Sequence, residues 1–534
     1  MGTFLLILGL IVVLVGIANR IGIAWPIVLV LSGMAIGYIP NAPALSLPPD
    51  LVLVVFLPPL LFWESVTAPT GEFVSGAWWI FQLAVGLVIV TTVAVAVVAH
   101  ALVPALGWAA AFVLGAAVSS TDEVAFAPIV ERLRIPRHVV ATIEGESLVN
   151  DATSLVLYGI AVVAVVSGTF SWSHTIELLV LGILGGVAVG MLVGVLTLLA
   201  WHFIKDDLLQ PMIALISAFG SYLLASRVGA SGVLAVVTVG VLVARYAPLL
   251  FGPISRIRGV AFLSTFSFLA NSVIFLLVGM QFHPIVQSLS QFSIGSLIWY
   301  GLAVSLTVII IRFLWTFAQG LLPFTNEPEH AEGKADWSHV AVLAWSGMRG
   351  GVSLAAALAI PFETATGPFP GRNLIIYLTF CVLLATLVGQ AGTLPLLIRL
   401  FHITDDGTDA REERLALAKT ARAALTQIER LREEGNVPAA MLDALKKHFG
   451  TRWQEFAATD SQAAEAAAKS TSLYRKLQSD LLQTQRTELI ALRNRGKIDN
   501  TVMRRIQMIL DFETAELEIL GSAGHANTDV AAPD

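Results

Sequence analysis

Thirteen apolar stretches, each long enough to cross a bilayer, leave this chain few folds to adopt. A spanning helix needs about 20 mainly apolar residues. Such stretches fall near 3–19, 22–39, 50–66, 76–99, 103–130, 143–167, 175–202, 208–226, 230–247, 258–281, 294–321, 338–361 and 373–400. Hydrocarbon offers no water to satisfy backbone groups, so each span must close its hydrogen bonds within itself as a helix. The expected class is an all-α polytopic membrane protein. Composition agrees, with 56% of the 534 residues hydrophobic and 13% charged, where soluble chains carry about 25% charged residues.

The composition changes at Asp405. From there on the chain holds 18 Lys+Arg and 21 Asp+Glu, which leaves only 14 and 17 for the first 404 residues. The expected domains are a transmembrane unit over 1–404, a helical cytoplasmic tail over 405–520 and an unstructured end over 521–534. In the tail, Leu417, Ala421, Ala424, Ile428 and Leu431 recur at helical spacing. Asn436-Val437-Pro438 divides two helices, and Asp499-Asn500 forms a start signal for another. Basic tail residues alternate with acids, which describes a solvated face rather than a patch for nucleic acid. The apolar N-terminal stretch has no basic residues ahead of it and no small-residue cleavage site, so it is taken as a retained first span. The single cysteine, Cys381, excludes an intrachain disulfide and argues against a thiol metal site.

Basic residues set the orientation. With thirteen spans, one set of loops holds Arg20, Arg132, Arg134, Arg137, Lys205, Arg245, Arg256, Arg258, Lys334 and Arg399, and the other holds Arg227 and Arg372. Cytoplasmic loops carry the excess of Lys and Arg, so the N-terminus is expected outside and the C-terminus in the cytoplasm of a multi-pass cell-membrane protein.

The sixth span opens with Ile143-Glu144-Gly145-Glu146-Ser147-Leu148-Val149-Asn150-Asp151-Ala152-Thr153. On a helix, Glu146, Asn150 and Thr153 share one face, and Ser147, Asp151 and Ser154 share the adjacent one. Ser147 and Asp151 thus stand one turn apart and can offer oxygens to one small ion. Asp122 lies about 14 Å into the membrane, and Asp151 and Arg349 about 18–20 Å, at 1.5 Å per residue. In a hydrocarbon core about 30 Å thick, all three are near the midplane. Charges at that depth mark functional sites by default.

Two spans are interrupted by polar or glycine residues. Span five carries Ser119-Ser120-Thr121-Asp122, and span twelve carries Ser346-Gly347-Met348-Arg349-Gly350-Gly351. With span seven as a linker, they occupy corresponding positions in two halves of six, the sequence pattern that points to a transporter's binding site. A broken helix turns a partly positive N-terminus toward the midplane. Asp122 can offset that end, and unwound carbonyls near Thr121 can help hold a cation.

These residues carry a family resemblance. The chain resembles the monovalent cation/proton antiporters of the electroneutral branch, the bacterial NhaP-type antiporters and animal sodium/proton exchangers. The matching pieces are Leu57-Pro58-Pro59-Leu60-Leu61-Phe62, Thr121-Asp122, Glu144 through Asp151, Asn271-Ser272 with Phe275-Leu276, and Gly347 through Leu354. The resemblance implies thirteen spans in two inverted repeats, a core bundle moving against a dimerisation domain, and a homodimer. It also implies that Asp151 binds cation or proton, with Ser147, the Thr121 backbone and Asp122 completing the ion's surroundings. Glu146 would form a buried ion pair with Arg349, and Asn150 would hydrogen-bond an acid on span three. In the family, asparagine at the position of Asn150 accompanies one-for-one exchange. Two departures stand out. Trp63 intervenes before the span-three acid, Glu64, and one residue turns a helix by about 100°. Glu123 replaces the proline often found after Thr-Asp; Arg312 and a water cavity are its two candidate surroundings, and the sequence names no partner for it.

The expected chemistry is competition for one carboxylate. Burial favours the neutral form of a carboxyl group, so such an acid holds a proton until a hard cation arrives to balance its charge. Na⁺ and Li⁺ favour oxygen ligands, which Asp151, Ser147 and the Thr121 carbonyl supply. No cofactor is expected, and neither a Walker A string nor a His-Glu-x-x-His motif is present. The rival readings are K⁺/H⁺ exchange on the same fold, a passive cation channel and an intramembrane enzyme. The histidines His100, His138, His174, His202, His283 and His339 stand singly near loop edges, which disfavours the enzyme.

Overall fold

The computed structural model describes residues 2–39, 52–68, 77–122, 124, 126, 127, 129, 133, 135–168, 172–321, 337–364, 367–403, 407–457, 461–495, 497 and 500–525. Its contacts divide the chain into two compact units, Met1–Thr404 and Asp405–Asp534.

The membrane unit opens with α1 (Gly2–Ile21) and α2 (Trp25–Gly37). Next come α3 (52–67), whose first turn Val52–Phe56 is π-helical, and α4 (77–102), with a π-helical stretch at Gln82–Leu87. Then follow α5 (Trp108–Ser119), α6 (Arg137–Ser167), α7 (Trp172–Phe203), α8 (Leu209–Arg227) and α9 (Gly232–Leu250). The unit ends with α10 (Pro253–Ser288), α11 (Ile294–Gly320), α12 (Trp337–Trp345), α13 (Gly351–Leu358) and α14 (Arg372–Leu400). Between α13 and α14, β1 (Glu363–Thr364) and β2 (Gly367–Pro368) form a two-residue antiparallel ladder.

Among the described residues, eight helices are long and apolar enough to cross a membrane, namely α4, α6 to α11 and α14; α1, α2, α3 and α5 contain shorter apolar helices. Each expected apolar stretch falls on one of these elements, and the two interrupted stretches do contain a break. Helix α5 stops at Ser119, with Ser120 extended; α12 stops at Trp345, and α13 resumes at Gly351.

Local signals explain several boundaries. Gly168 closes α6 in the left-handed conformation, φ 68°. Ser231 caps α9 by accepting from the Leu234 amide at 3.3 Å. The Asp206 carboxylate accepts from the first amides beside α8, Leu208 at 2.8 Å and Leu209 at 3.0 Å. Those bonds hold its acid below the usual carboxylate range.

The interior forms two main apolar clusters. One joins α1, α2, α4 to α6 and α10 to α14 and takes in Leu60 of α3; the other joins α3 and α7 to α9 and takes in Ala152 of α6, Leu263 of α10 and Val352 and Ala355 of α13. Lipid offers no hydrophobic drive between helices, so small residues govern the tightest approaches. At the α2–α10 crossing a Cβ on Gly33 would lie 2.3 Å from the Leu276 carbonyl, and one on Gly279 would lie 2.3 Å from that of Val30.

The second unit consists of α15 (Thr408–Glu434), α16 (Ala439–Ala457), α17 (Ser461–Asn494) and α18 (Asn500–His525). Ala421 and Ile428 of the expected apolar face are buried, together with Leu442 of α16. Leu482, Leu489 and Leu510 form the core between α17 and α18. The stretch 521–534, expected to be unstructured, is helical through His525; the rest lies outside the described residues.

Candidate functional site

The two breaks cross each other at the centre of the membrane unit. The Asp122 amide donates to the Met348 carbonyl at 2.9 Å, and the Ser120 and Ser353 hydroxyls lie 3.2 Å apart. Each break leaves a half-helix end without partners inside its own helix, and the opposite strand supplies them.

Asp122 serves the N-terminal end of α13. One carboxylate oxygen accepts from the Gly351 amide at 2.9 Å and the other from the Val124 amide at 2.7 Å. A negative charge at a helix N-terminus is electrostatically favourable. Arg349 does the reverse for α5. Its guanidinium donates to the carbonyls of Val118 at 2.9 Å and Ser119 at 3.5 Å, and to that of Gly347 at 2.5 Å. The cation thus sits at the partly negative C-terminal end of α5. Asp122 in this place follows from the sequence; the complementary seat of Arg349 does not.

Two expected contacts are corrected. Glu146 does not pair with Arg349. Arg312 of α11 holds the Glu146 carboxylate with both terminal nitrogens, one bond measuring 2.8 Å, and both side chains are 1% exposed. Gly347 makes room for this pair, because a Cβ there would lie 2.1 Å from Arg312 Cδ. The backbone carbonyls of the breaks then take up Arg349. Nor does Asn150 bond the acid on α3. Its amide donates to Thr121 Oγ1 at 2.5 Å, and that hydroxyl donates to Glu146 Oε1 at 3.3 Å. Thr121 therefore links Asn150 to the ion pair.

Asp151 and Ser147, on the adjacent face of α6, are each 2% exposed. Ser147 Oγ donates to the Thr121 carbonyl at 3.0 Å, so its lone pairs and the rest of that carbonyl remain available to a cation. Half-buried Glu64 lies within electrostatic reach of Asp151 and, more weakly, of Asp122. Glu123 lies outside the described residues, and Arg312 is held by Glu146.

The site thus assembles one carboxylate, one hydroxyl and one unwound carbonyl on a frame of two half-helices. This donor set suits a small hard cation. The chain also matches the sodium/hydrogen exchanger transmembrane family over residues 7–400. It belongs to the sodium/hydrogen exchanger family.

Similarity within that family covers both units. An uncharacterized Na⁺/H⁺ exchanger of Mycobacterium tuberculosis is 33% identical over 512 residues, covering 94% of this chain and 93% of that protein. The uncharacterized exchanger YjcE of Escherichia coli is 30% identical, covering 96% and 98%. A sodium, potassium, lithium and rubidium/H⁺ antiporter of Bacillus subtilis is 32% identical, covering 74% of this chain and 62% of that protein. In fold, the chain is similar to the sodium proton antiporter MjNhaP1 of Methanocaldococcus jannaschii, with a TM-score of 0.58 at 20% identity, covering 74% of this chain and 97% of that one. The exchanger is therefore a multi-pass membrane protein of a cation/proton antiport family. Arg312 is the site residue that the sequence reading left unassigned. Its signal was a lone arginine within the 27 residues of α11, where an intramembrane charge calls for a buried partner.

Proposed function

We propose that the chain exchanges Na⁺ or Li⁺ for H⁺ by alternating access, with Asp151 as the shared carboxylate. The supporting observation is the placement of Asp151 beside Ser147 and the Thr121 carbonyl, where the two broken helices cross. Protonated Asp151 is neutral, and ionised Asp151 with a bound monovalent cation is also neutral overall. Asn150 is an amide engaged with Thr121 and carries no second proton, so one cation exchanges for one proton. Glu64 is the acid that can alter this ratio. Glu146, Arg312, Arg349 and Asp122 act as the frame. The thirteen spans form two inverted repeats, the N-terminus lies outside, the protein sits in the cell membrane as a homodimer, and the tail sets the pH at which exchange begins.

A second reading, in which K⁺ is also carried, draws support from the name of the Bacillus relative. A pH-sensitive dye in vesicles, with Na⁺, Li⁺ and K⁺ added separately, tests both. Dequenching by none of the three would end the antiport reading, and dequenching by K⁺ would widen the substrate class. Clamping the membrane potential with valinomycin, for substrates other than K⁺, tests the ratio; a rate that follows the potential contradicts one-for-one exchange. Truncation near Asp405 tests the tail and should leave exchange intact with a shifted pH of onset.

A further inference from the structure

Helix α18 presents two apolar faces. On one, Leu510 joins Leu482 and Leu489 of α17 in the core of the hairpin, with Met503 and Leu517 packed against them. The other is open to solvent: Ile506, Ile509 and Phe512 are 39%, 52% and 45% exposed. At about 100° per residue these three, together with Arg505 and Glu513, fall within roughly 60° of Ile509 on either side. An apolar stripe bordered by charge on a soluble unit marks an interaction surface.

Charge decides what covers it. Both arginines of α18, Arg504 and Arg505, precede Ile509, and its four acids, Asp511, Glu513, Glu516 and Glu518, follow it. Asp511 is bonded to Arg486 and Glu516 to Arg452 within the unit. Arg505 and Glu513 are exposed and form no ion pair among the described residues. A helix that lies on an anionic lipid surface carries Lys and Arg along its polar border, a pattern that Glu513 contradicts. The stripe instead complements itself. Arg505 and Glu513 each stand four residues from Ile509, on opposite sides, and Ile506 and Phe512 each stand three. A second α18, turned end for end about Ile509, brings its Arg505 level with Glu513 and its Ile506 level with Phe512, while Ile509 meets its own copy. That is the pattern of a twofold interface, in which residue i meets j and j meets i. Parallel pairing would set Arg505 level with Arg505 and Glu513 level with Glu513, and like charges brought together are costly.

We propose that α18 is a contact between two copies of the chain, the two helices crossing antiparallel about a twofold axis at Ile509, with Arg505 of each copy paired to Glu513 of the other. The inference rests on the homodimer reading and deepens it, because it gives the tails an interface of their own.

The test uses the full chain in a Cys381→Ala background, which removes the only cysteine. Ile509→Cys puts a thiol on the axis, and Gln507→Cys puts an exposed one about 160° around the helix. A short bismaleimide should join two copies through Ile509→Cys at least fivefold faster than through Gln507→Cys, and tenfold dilution of the protein in lipid should leave that rate unchanged. Arg505→Glu or Glu513→Arg should each slow the cross-link at least threefold, and the two together should restore it to within about twofold. If Ile509→Cys fails to fold, co-expressed chains with Ile506→Cys in one and Phe512→Cys in the other supply the same readout, since those positions come level only in the antiparallel register. No cross-link, an equal one at Gln507→Cys, one that slows with dilution, or a double reversal no faster than the single ones would overturn the proposal. Light scattering on the detergent-solubilised wild type separates the two readings. A dimer that does not cross-link overturns the tail contact alone, and a monomer ends the homodimer reading as well.

Discussion

The two units of this chain use ion pairs in opposite ways. In the membrane unit, Glu146 and Arg312 are 1% exposed and doubly bonded. In the tail the pairs lie at the surface: Arg486 and Asp511, for example, are 31% and 55% exposed, and Lys446 and Glu429 are 51% and 48% exposed. Removing one partner of a buried pair strands a charge in a poor solvent, whereas water replaces a lost surface partner. Buried charges in the first unit are few and depend on their partners; those of the second are many and exposed.

The contrast breaks first at Asp151. Asp151→Asn should bring cation-driven proton movement to background while the protein still folds, because no other group supplies an exchangeable charge at that position. Retained exchange at normal expression would remove Asp151 from its role.

Next in size is the frame. Glu146→Gln or Arg312→Met should each cost about 3–5 kcal/mol, measured as lower folded yield and melting temperature. Glu146→Gln combined with Arg312→Met should recover part of that loss, since neither charge is then stranded. A double variant less stable than both single ones would contradict the pairing.

Arg349→Leu should cost a similar amount, at about 1–3 kcal/mol for each of up to three buried carbonyls left without this donor. Arg349 feels Arg312 and Glu146 through space but bonds the end of α5, so a double-mutant cycle of Arg349 with Glu146 should show a smaller coupling than the cycle of Glu146 with Arg312. Strong coupling between Arg349 and Glu146 would revive a direct bond between them.

The tail should give the smallest effects. Arg486→Ala should change melting by an amount typical of an exposed pair, on the order of 0–1 kcal/mol. Lys446 holds the Glu429 carboxyl below its usual range. A lowered folded value stabilises above the ordinary carboxyl pKa of about 4.3 and is lost as pH falls through the folded value. Hydrogen-exchange protection around α15 and α16 should therefore differ between wild type and Lys446→Ala near neutral pH and converge in acid. A difference that persists unchanged in acid would assign the effect to packing.

How much of this was legible in the sequence depends on distance along the chain. Run length identified the helices, because a bilayer demands about 20 residues whatever the tertiary fold. The Asp122 seat was legible too, since a half-helix end attracts the acid in the facing break. The partner of Glu146 was not. It stands 166 residues away, and depth in the membrane, which placed Arg349 level with Asp151, says nothing about which way a side chain turns. The same limit hid Glu64. Helical rotation at Trp63 suggested a lost contact with Asn150, whose amide does bond Thr121 instead, but not that Glu64 would feel Asp151 through space.

Gly350 shows how far a change may act from the ion it affects. A Cβ there would fall 1.4 Å from Asp122 Oδ2, so the missing side chain is the space the carboxylate occupies. Its backbone is extended, φ −133°, and alanine could adopt that conformation without difficulty. Alanine would instead evict Asp122 from the amide it caps and leave every cation ligand chemically intact. A missense change of one methyl group, invisible to any inventory of ligands, would thus disable the exchanger by dislodging an anion from its berth.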